Sequence, residues 1–122
     1  MNIRRVVPNV TTKDLKKSRD FYTELLGLTV AMDMGFIVTL VSESNETAQI
    51  SLVRGNEGSP SHPYITVSIE VEDVVEIHKR AVARGLKILY PLTDEPYGVR
   101  RFHVADPNGT VLNILSHIDK KK

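Results

Sequence analysis

The sequence contains no cysteine, which excludes disulfide bonds, thiolate metal sites and a cysteine nucleophile. It also has no apolar run near the roughly 18 residues that suggest a membrane-spanning helix. The N-terminus lacks the apolar core of a signal peptide. We therefore expect a cytoplasmic protein without a membrane partner.

The sequence also has no large excess of positive or negative charge. Sixteen Lys and Arg residues stand against 15 Asp and Glu residues, for a net charge of +1. This balance gives no electrostatic case for a nucleic-acid partner. The 122 residues, 41% of them hydrophobic, suffice for one domain with a core but not for two ordinary ones.

One order of elements occurs twice along the chain: a strand, a helix and then three strands. In the first half the pattern predicts strands at 3–10, 28–34, 36–41 and 48–53 and a helix at 14–26. In the second half it predicts strands at 64–71 and 86–90, a helix at 73–84, a loop at 91–96 and a hairpin at 97–115. We interpret the repeat as an internal duplication, with module 1 at about 1–55, a linker at 55–63 and module 2 at about 64–118.

Both predicted helices have recognisable ends. Thr12 or Asp14 is the candidate N-cap of the first helix, and Gly27 is suited to its C-terminal stop. Asp73 and Glu76 have the spacing of a capping box at the start of the second helix, which ends before Gly85.

The stretch 97–115 predicts a hairpin with a defined turn. Asp106 and Pro107 favour the first two positions of a type I turn, and Gly109 can adopt the left-handed conformation that closes a three-residue loop. This geometry pairs Asp106 with Thr110 across the turn. The register of the whole hairpin follows from that pair.

In this register His103 lies opposite Asn113, and Arg101 lies two residues along on the same side. A polar pair therefore occupies one face of otherwise apolar strands. We take this face as the wall of a candidate site.

Motif pieces at both helices and at the hairpin occur in a fixed order. They are Asp14-Leu15, Ser18, Phe21-Tyr22, Leu25-Leu26-Gly27-Leu28, Val71-Glu72-Asp73-Val74, Arg84-Gly85, Tyr97-Gly98, Arg100, Phe102 and Asp106-Pro107-Asn108-Gly109. With these pieces the chain resembles the vicinal oxygen chelate superfamily, which includes glyoxalase I, extradiol dioxygenases, fosfomycin resistance enzymes and bleomycin resistance proteins. The resemblance implies an α+β fold of two βαβββ modules. They would form an incomplete barrel around a cleft, as a single domain over 1–122 and commonly as a homodimer.

Metal-dependent members of that superfamily hold one divalent ion with His and Glu side chains. The resemblance places the ligand positions on Val7, on Thr66 or Tyr64, and on Asn113, with Ser51 as the counterpart in module 1. Zinc requires three or four His, Cys or carboxylate donors, which these residues do not supply. We therefore predict no metal and no other cofactor, while a divalent ion held in another way stays open. The loss resembles the bleomycin-resistance-like branch, whose members bind a ligand without catalysis.

His103 is the candidate catalytic residue, because the ordinary pKa of histidine lies near neutrality. The alternative is a strand histidine that only bonds a neighbour. Arg101 is either a clamp for a carboxylate or phosphate or a solvated strand residue. His62 would rescue a metal site if the strand register shifted, but its place between two prolines favours a loop.

Seven residues form the predicted ligand-binding set: Asn9, Tyr64, Thr66, Tyr97, Arg101, His103 and Asn113. Tyr97 can stack on a planar ligand or pack on its own loop. Tyr64 is a phenol donor or a core aromatic, and Asn9 shares the face of Val7.

Three functions follow from these observations. The first is a metal-free protein that binds a small organic molecule in the cleft. The second is an enzyme of the same superfamily, a lyase, isomerase, transferase or dioxygenase, with a non-standard site. The third is a dimeric structural or regulatory module without a ligand. The arginines near the proposed wall do not favour a cationic ligand.

Overall fold

The protein is described by a computed structural model over residues 2, 4–55 and 66–118. The chain divides into two compact units, Met1–His62 and Pro63–Lys122. Each unit contains one helix and one four-stranded sheet, in the order strand, helix and three strands. The predicted α+β class and the two βαβββ modules are confirmed, whereas their union in a single domain stays a prediction.

Module 1 consists of β1 (Asn9–Thr12), α1 (Leu15–Leu26), β2 (Thr29–Asp33), β3 (Ile37–Val41) and β4 (Gln49–Arg54). The strand order is β1-β4-β3-β2, and only β1 and β4 run parallel. The first strand was predicted too early, since it begins at Asn9 and not near residue 3. The carbonyl of Pro8 accepts a hydrogen bond from the Ser51 amide at 3.0 Å, but its nitrogen has no hydrogen to donate, and the strand starts after it.

The predicted ends of α1 are confirmed. Asp14 is the N-cap, and its Oδ1 accepts a hydrogen bond from the Lys17 amide at 3.0 Å. Gly27 is left-handed, with φ of 71°, and its amide donates to the carbonyl of Thr23. The side chains that α1 buries against the sheet are Ser18, Phe21, Tyr22 and Leu25.

Module 2 consists of β5 (Thr66–Glu70), α2 (Val74–Ala83), β6 (Ile88–Asp94), β7 (Val99–Ala105) and β8 (Val111–His117). The strand order β5-β8-β7-β6 repeats that of module 1, again with one parallel pair, β5 and β8. The predicted capping box is half formed. Asp73 accepts from the Glu76 amide, but the Glu76 carboxylate accepts a hydrogen bond from Arg80 instead of returning to the N-cap amide.

Strand β6 is longer than predicted. It continues through Pro91 to Asp94, where the sequence indicated a loop. The register between β6 and β7 shifts on both sides of Tyr90, so the proline lies in an irregular stretch that needs no regular ladder bond. As a result, Tyr90 lies opposite His103 and Thr93 lies opposite Arg101.

The hairpin of β7 and β8 has the predicted register. The Asp106 amide donates to the Thr110 carbonyl and the Gly109 amide to the Asp106 carbonyl, both at 2.9 Å. Gly109 has φ of 85°, a left-handed conformation that L side chains rarely adopt. His103 therefore pairs with Asn113, as predicted, and β8 runs on to His117.

The core of module 2 lies between its sheet and α2. The sheet contributes Phe102, Val104, Leu112 and Ile114, and α2 contributes Val74, Ile77 and Ala81. Side chains alternate along a strand, so Arg101, His103 and Asn113 lie on the other face, away from α2. We call this surface of β5–β8 the site face. Within the described ranges, no helix has the length and apolar character needed to cross a membrane.

Candidate functional site

The centre of the site face is the cross-strand pair His103 and Asn113. Asn113 also pairs with Ser68 on β5, and its Nδ2 donates to the Ser68 hydroxyl at 3.1 Å. This bond leaves Oδ1 as the unused end of the amide. Asn113 Oδ1 and His103 Nε2 are both buried and have no hydrogen-bond partner in the part of the chain that the structure describes. The pair thus presents two unused hydrogen-bonding atoms side by side.

A carboxylate and an arginine lie beside this pair. Glu95 Oε2 accepts one hydrogen bond from the Tyr90 hydroxyl and one from Arg101 Nε, both at 2.8 Å. The Arg101 guanidinium lies 5.0 Å from the centre of the Tyr90 ring, which is 5.1 Å from the His103 ring. Tyr90, Glu95, Arg101 and His103 therefore form one connected cluster.

Sequence reasoning missed Glu95 and Tyr90 in this cluster. Tyr90 was predicted at the end of a strand and Glu95 within the loop at 91–96. In the structure β6 pairs with β7, so Tyr90 lies opposite His103, and Glu95, just after β6, binds Arg101. The available signal was the close antiparallel connection itself, because it brings Asp94 and Glu95 next to Arg100 and Arg101.

The charges in the cluster neutralise each other. The hydrogen bond from Arg101 and then that from Tyr90 lower the pKa of Glu95, and the hydrogen bond to Glu95 raises the pKa of Arg101. On the other face of the sheet, Arg100 of β7 binds Asp94 of β6 through two hydrogen bonds. That Arg101 binds a carboxylate or phosphate of a ligand stays a prediction. Its Nε already donates a hydrogen bond to Glu95.

The surroundings of His103 favour the neutral form of its imidazole. Burial lowers its pKa below the ordinary 6.5, and the Arg101 charge lowers it further. The nearby Asn113 amide and the Glu95 carboxylate raise the pKa of His103, but by less than burial and Arg101 lower it. The amide lies close enough to act on the imidazole, although no hydrogen bond of acceptable geometry from the described residues engages His103 Nε2 or Asn113 Oδ1. A neutral imidazole can donate one hydrogen bond, accept one, or exchange a proton with a bound molecule.

The remaining predicted residues are spread over the chain. Thr66 begins β5, two positions before Ser68 and on the same face. Tyr97 lies between β6 and β7 and is 62% exposed. Its electrostatic interaction with Arg101 raises the pKa of the guanidinium. Asn9 is an exposed residue of module 1 that pairs with Ser51. Tyr64 and His62 lie outside the described residues.

The residues at the superfamily's metal positions do not fit a divalent ion. Val7 has no donor atom, and the hydroxyl of Ser51 is bonded to Thr39 at 2.8 Å. Thr66 and Asn113 offer a hydroxyl and an amide, in place of imidazole or carboxylate. No group of three His, Asp or Glu side chains that could hold a metal is found among residues 4–55 and 66–118. The metal-free site stays a prediction that this donor chemistry supports.

Solved structures with the same fold are similar over nearly the whole chain. An integron cassette protein from the mobile metagenome of a Halifax Harbour sewage outfall is 22% identical, with a TM-score of 0.76, over 93% of this chain and 99% of its own. TioX from Micromonospora sp. ML1 is 21% identical, with a TM-score of 0.76, over 93% and 98%. A glyoxalase/bleomycin resistance protein/dioxygenase from Nocardioides is 21% identical, with a TM-score of 0.73, over 100% and 88%. At these identities the likeness shows the fold alone.

The sequence itself shows the family. No protein with a curated description matches the chain. A family profile of the glyoxalase/bleomycin resistance protein/dioxygenase superfamily, in contrast, matches residues 3–114, from module 1 into the last strand of module 2. The chain therefore belongs to the glyoxalase/bleomycin resistance protein/dioxygenase superfamily.

Proposed function

We propose that this superfamily member binds a small organic molecule at the His103–Asn113 pair without a metal ion. The observation that carries the proposal is the pair of buried atoms, His103 Nε2 and Asn113 Oδ1, that lack a hydrogen-bond partner among the described residues. Most buried polar atoms in proteins are hydrogen-bonded, and each one left unpaired costs about 1–3 kcal/mol. A ligand that bonds both atoms recovers that cost.

The surroundings of the pair support binding. The Ser68 hydroxyl orients the Asn113 amide, and the Tyr90 ring lies against the His103 ring. A pre-oriented donor and acceptor reduce the entropy that a ligand loses on binding. The donor chemistry at the metal positions supports the metal-free, bleomycin-resistance-like character of the protein.

A second candidate function is acid–base catalysis by His103. The lowered pKa of His103 favours it, because a neutral imidazole can accept a proton from a bound molecule near pH 7. Loss of turnover in His103→Gln with retained binding of the same molecule would favour this enzyme over the binding protein. A cytoplasmic homodimer is part of the proposal as well, and analytical ultracentrifugation tests the dimer.

The experiment that tests binding is a ligand-observed NMR screen of a fragment library on chelator-treated protein. The library contains anionic, cationic and uncharged fragments. We expect some fragments to bind the wild type and to lose binding in His103→Leu and in Asn113→Leu. His78→Gln is the matched control, because His78 lies on α2 and its ring contacts Phe102 on the opposite face of the sheet.

Two results of this screen would contradict the proposal. Fragments that bind equally well to wild type and to both Leu variants would place the ligand elsewhere and overturn the proposal. A library that gives no bound fragment would also contradict it. Circular dichroism of each variant separates loss of binding from loss of fold.

A further inference from the structure

The two unpaired atoms specify the groups that a ligand must present. The bond from Asn113 Nδ2 to Ser68 leaves Oδ1 as the free end of the amide, and this carbonyl oxygen can only accept a hydrogen bond. His103 Nε2 donates when it carries the hydrogen of the neutral ring. The two residues are direct cross-strand neighbours, whose Cβ atoms lie about 4.5–5.5 Å apart in such pairs. A ligand that satisfies both needs a donor and an acceptor on adjacent atoms.

The charges beside the pair disfavour an ionised ligand. Arg101 and Glu95 both lie near enough to His103 to influence it electrostatically, and they are bonded to each other at 2.8 Å. Glu95 repels an anion, and Arg101 repels a cation. Either ion also has to compete with a formed pair whose side chains are only 25% and 12% exposed. An uncharged ligand avoids both costs.

An aromatic side chain near the cluster favours a planar ligand. Tyr97 is 62% exposed and lies near enough to Arg101 to raise the pKa of its guanidinium. The Tyr90 ring, in contrast, is already occupied by Arg101 and His103. Tyr97 therefore supplies an aromatic face that no ring contact in the described residues uses.

We propose that the site takes an uncharged planar ring that carries a hydrogen-bond donor next to an acceptor, as a cyclic amide does. The ring N–H donates to Asn113 Oδ1, and the neighbouring carbonyl accepts from His103 Nε2. Tyr97 covers one face of the ring. This inference rests on the proposed function and adds the chemical class of the ligand.

The test compares three probes of similar size by titration of the wild-type protein. 2-Quinolone has the adjacent donor and acceptor, N-methyl-2-quinolone lacks the donor, and quinoline-2-carboxylate is an anion. We expect 2-quinolone to bind roughly tenfold more tightly than either of the others, because a missing partner leaves a buried atom unsatisfied. Asn113→Leu should remove this preference, and His78→Gln should keep it.

Several results would overturn the inference. They are equal binding of the N-methyl compound, tighter binding of the carboxylate, and no detectable binding of 2-quinolone. If fragments of another class still bind at His103 and Asn113 in the library screen, only the ligand class is wrong. If neither Leu variant weakens the binding of any fragment, the proposed function is wrong as well as the ligand class. The probe series on the wild type stays informative even where a variant does not fold.

Discussion

Arg101 donates a hydrogen bond through Nε to Oε2 of Glu95 at 2.8 Å, so its positive charge is balanced by a residue of the connection between β6 and β7. Arg100, the preceding residue, is balanced in the same way by Asp94 on the other face. The sequence alone suggested a positively charged wall. The structure instead places paired charges beside a neutral polar pair.

Replacing Glu95 with Gln should change how stability depends on acid. The pKa of Glu95 is lowered from 4.5, so its contribution to stability is present above that value and is lost as the pH falls through the lowered folded pKa. Glu95→Gln should therefore lose less stability than the wild type between neutral pH and the acid range. Urea unfolding at a series of pH values measures this, and parallel pH profiles of the two proteins would contradict it.

His103 should titrate below its ordinary pKa of 6.5. The unfolded state then binds more protons than the folded state in the window below 6.5, so stability falls there as the pH decreases. The groups that act on His103 are Arg101, Glu95 and Asn113. NMR titration of the imidazole signals measures the midpoint, with His103→Gln as the assignment control.

The same titration in two variants distinguishes the effects of the two ion pairs on the pKa of His103. Glu95 raises the pKa of His103, so Glu95→Gln should move the midpoint lower still. Asp94→Asn is the matched control, because Asp94 bonds Arg100 and does not act on His103. A His103 midpoint above 6.5, or equal shifts in both variants, would contradict the electrostatics of the cluster.

Replacing both His103 and Asn113 with Leu should stabilise the free protein while abolishing ligand binding. Both side chains keep an unpaired buried atom, and removing such atoms recovers about 1–3 kcal/mol. This opposition of stability and function is common at binding sites. Chemical denaturation of the double variant and the wild type measures the difference. A loss of stability of similar size would show that the pair stabilises the free fold.

Metal ions should not stabilise the protein selectively. A ligand that binds only the native state at about 100 times its Kd adds roughly 2.7 kcal/mol, which is visible as a shifted thermal midpoint. We expect no such shift when Zn²⁺, Ni²⁺, Mn²⁺ or Fe²⁺ is added singly to chelator-treated protein. A shift with one ion that His103→Ala or His62→Ala removes would contradict the metal-free site.

The register of the site pair was predictable because a local turn determines it. Asp106, Pro107 and Gly109 specify the loop length, and the loop length sets which residues of β7 and β8 meet. His103 and Asn113 were therefore placed opposite each other from sequence alone. The helix caps Asp14 and Asp73 were predictable for the same reason, since each bonds an amide three residues on.

Other features depend on distant or irregular contacts and were missed. Strand β1 begins after Pro8 in parallel pairing with β4, whose residues lie far along the chain and carry no local signal for that boundary. Strand β6 crosses Pro91 only because its register with β7 shifts there. Glu95 follows β6, and the turn into β7 positions it: its amide donates to the Val99 carbonyl at 2.8 Å and its carbonyl accepts from the Gly98 amide at 3.1 Å. This turn was not predicted from the sequence.

The side-chain amide of Asn113 reports most directly on ligand binding at the His103–Asn113 pair. Its two N–H signals in a ¹⁵N-correlated spectrum are identified by their loss in Asn113→Leu and followed as each binding fragment is added. We expect these signals to shift with the ligand, because Asn113 Oδ1 gains a hydrogen bond on the same amide. Fragments that bind to chelator-treated protein and leave the Asn113 signals unchanged would contradict it.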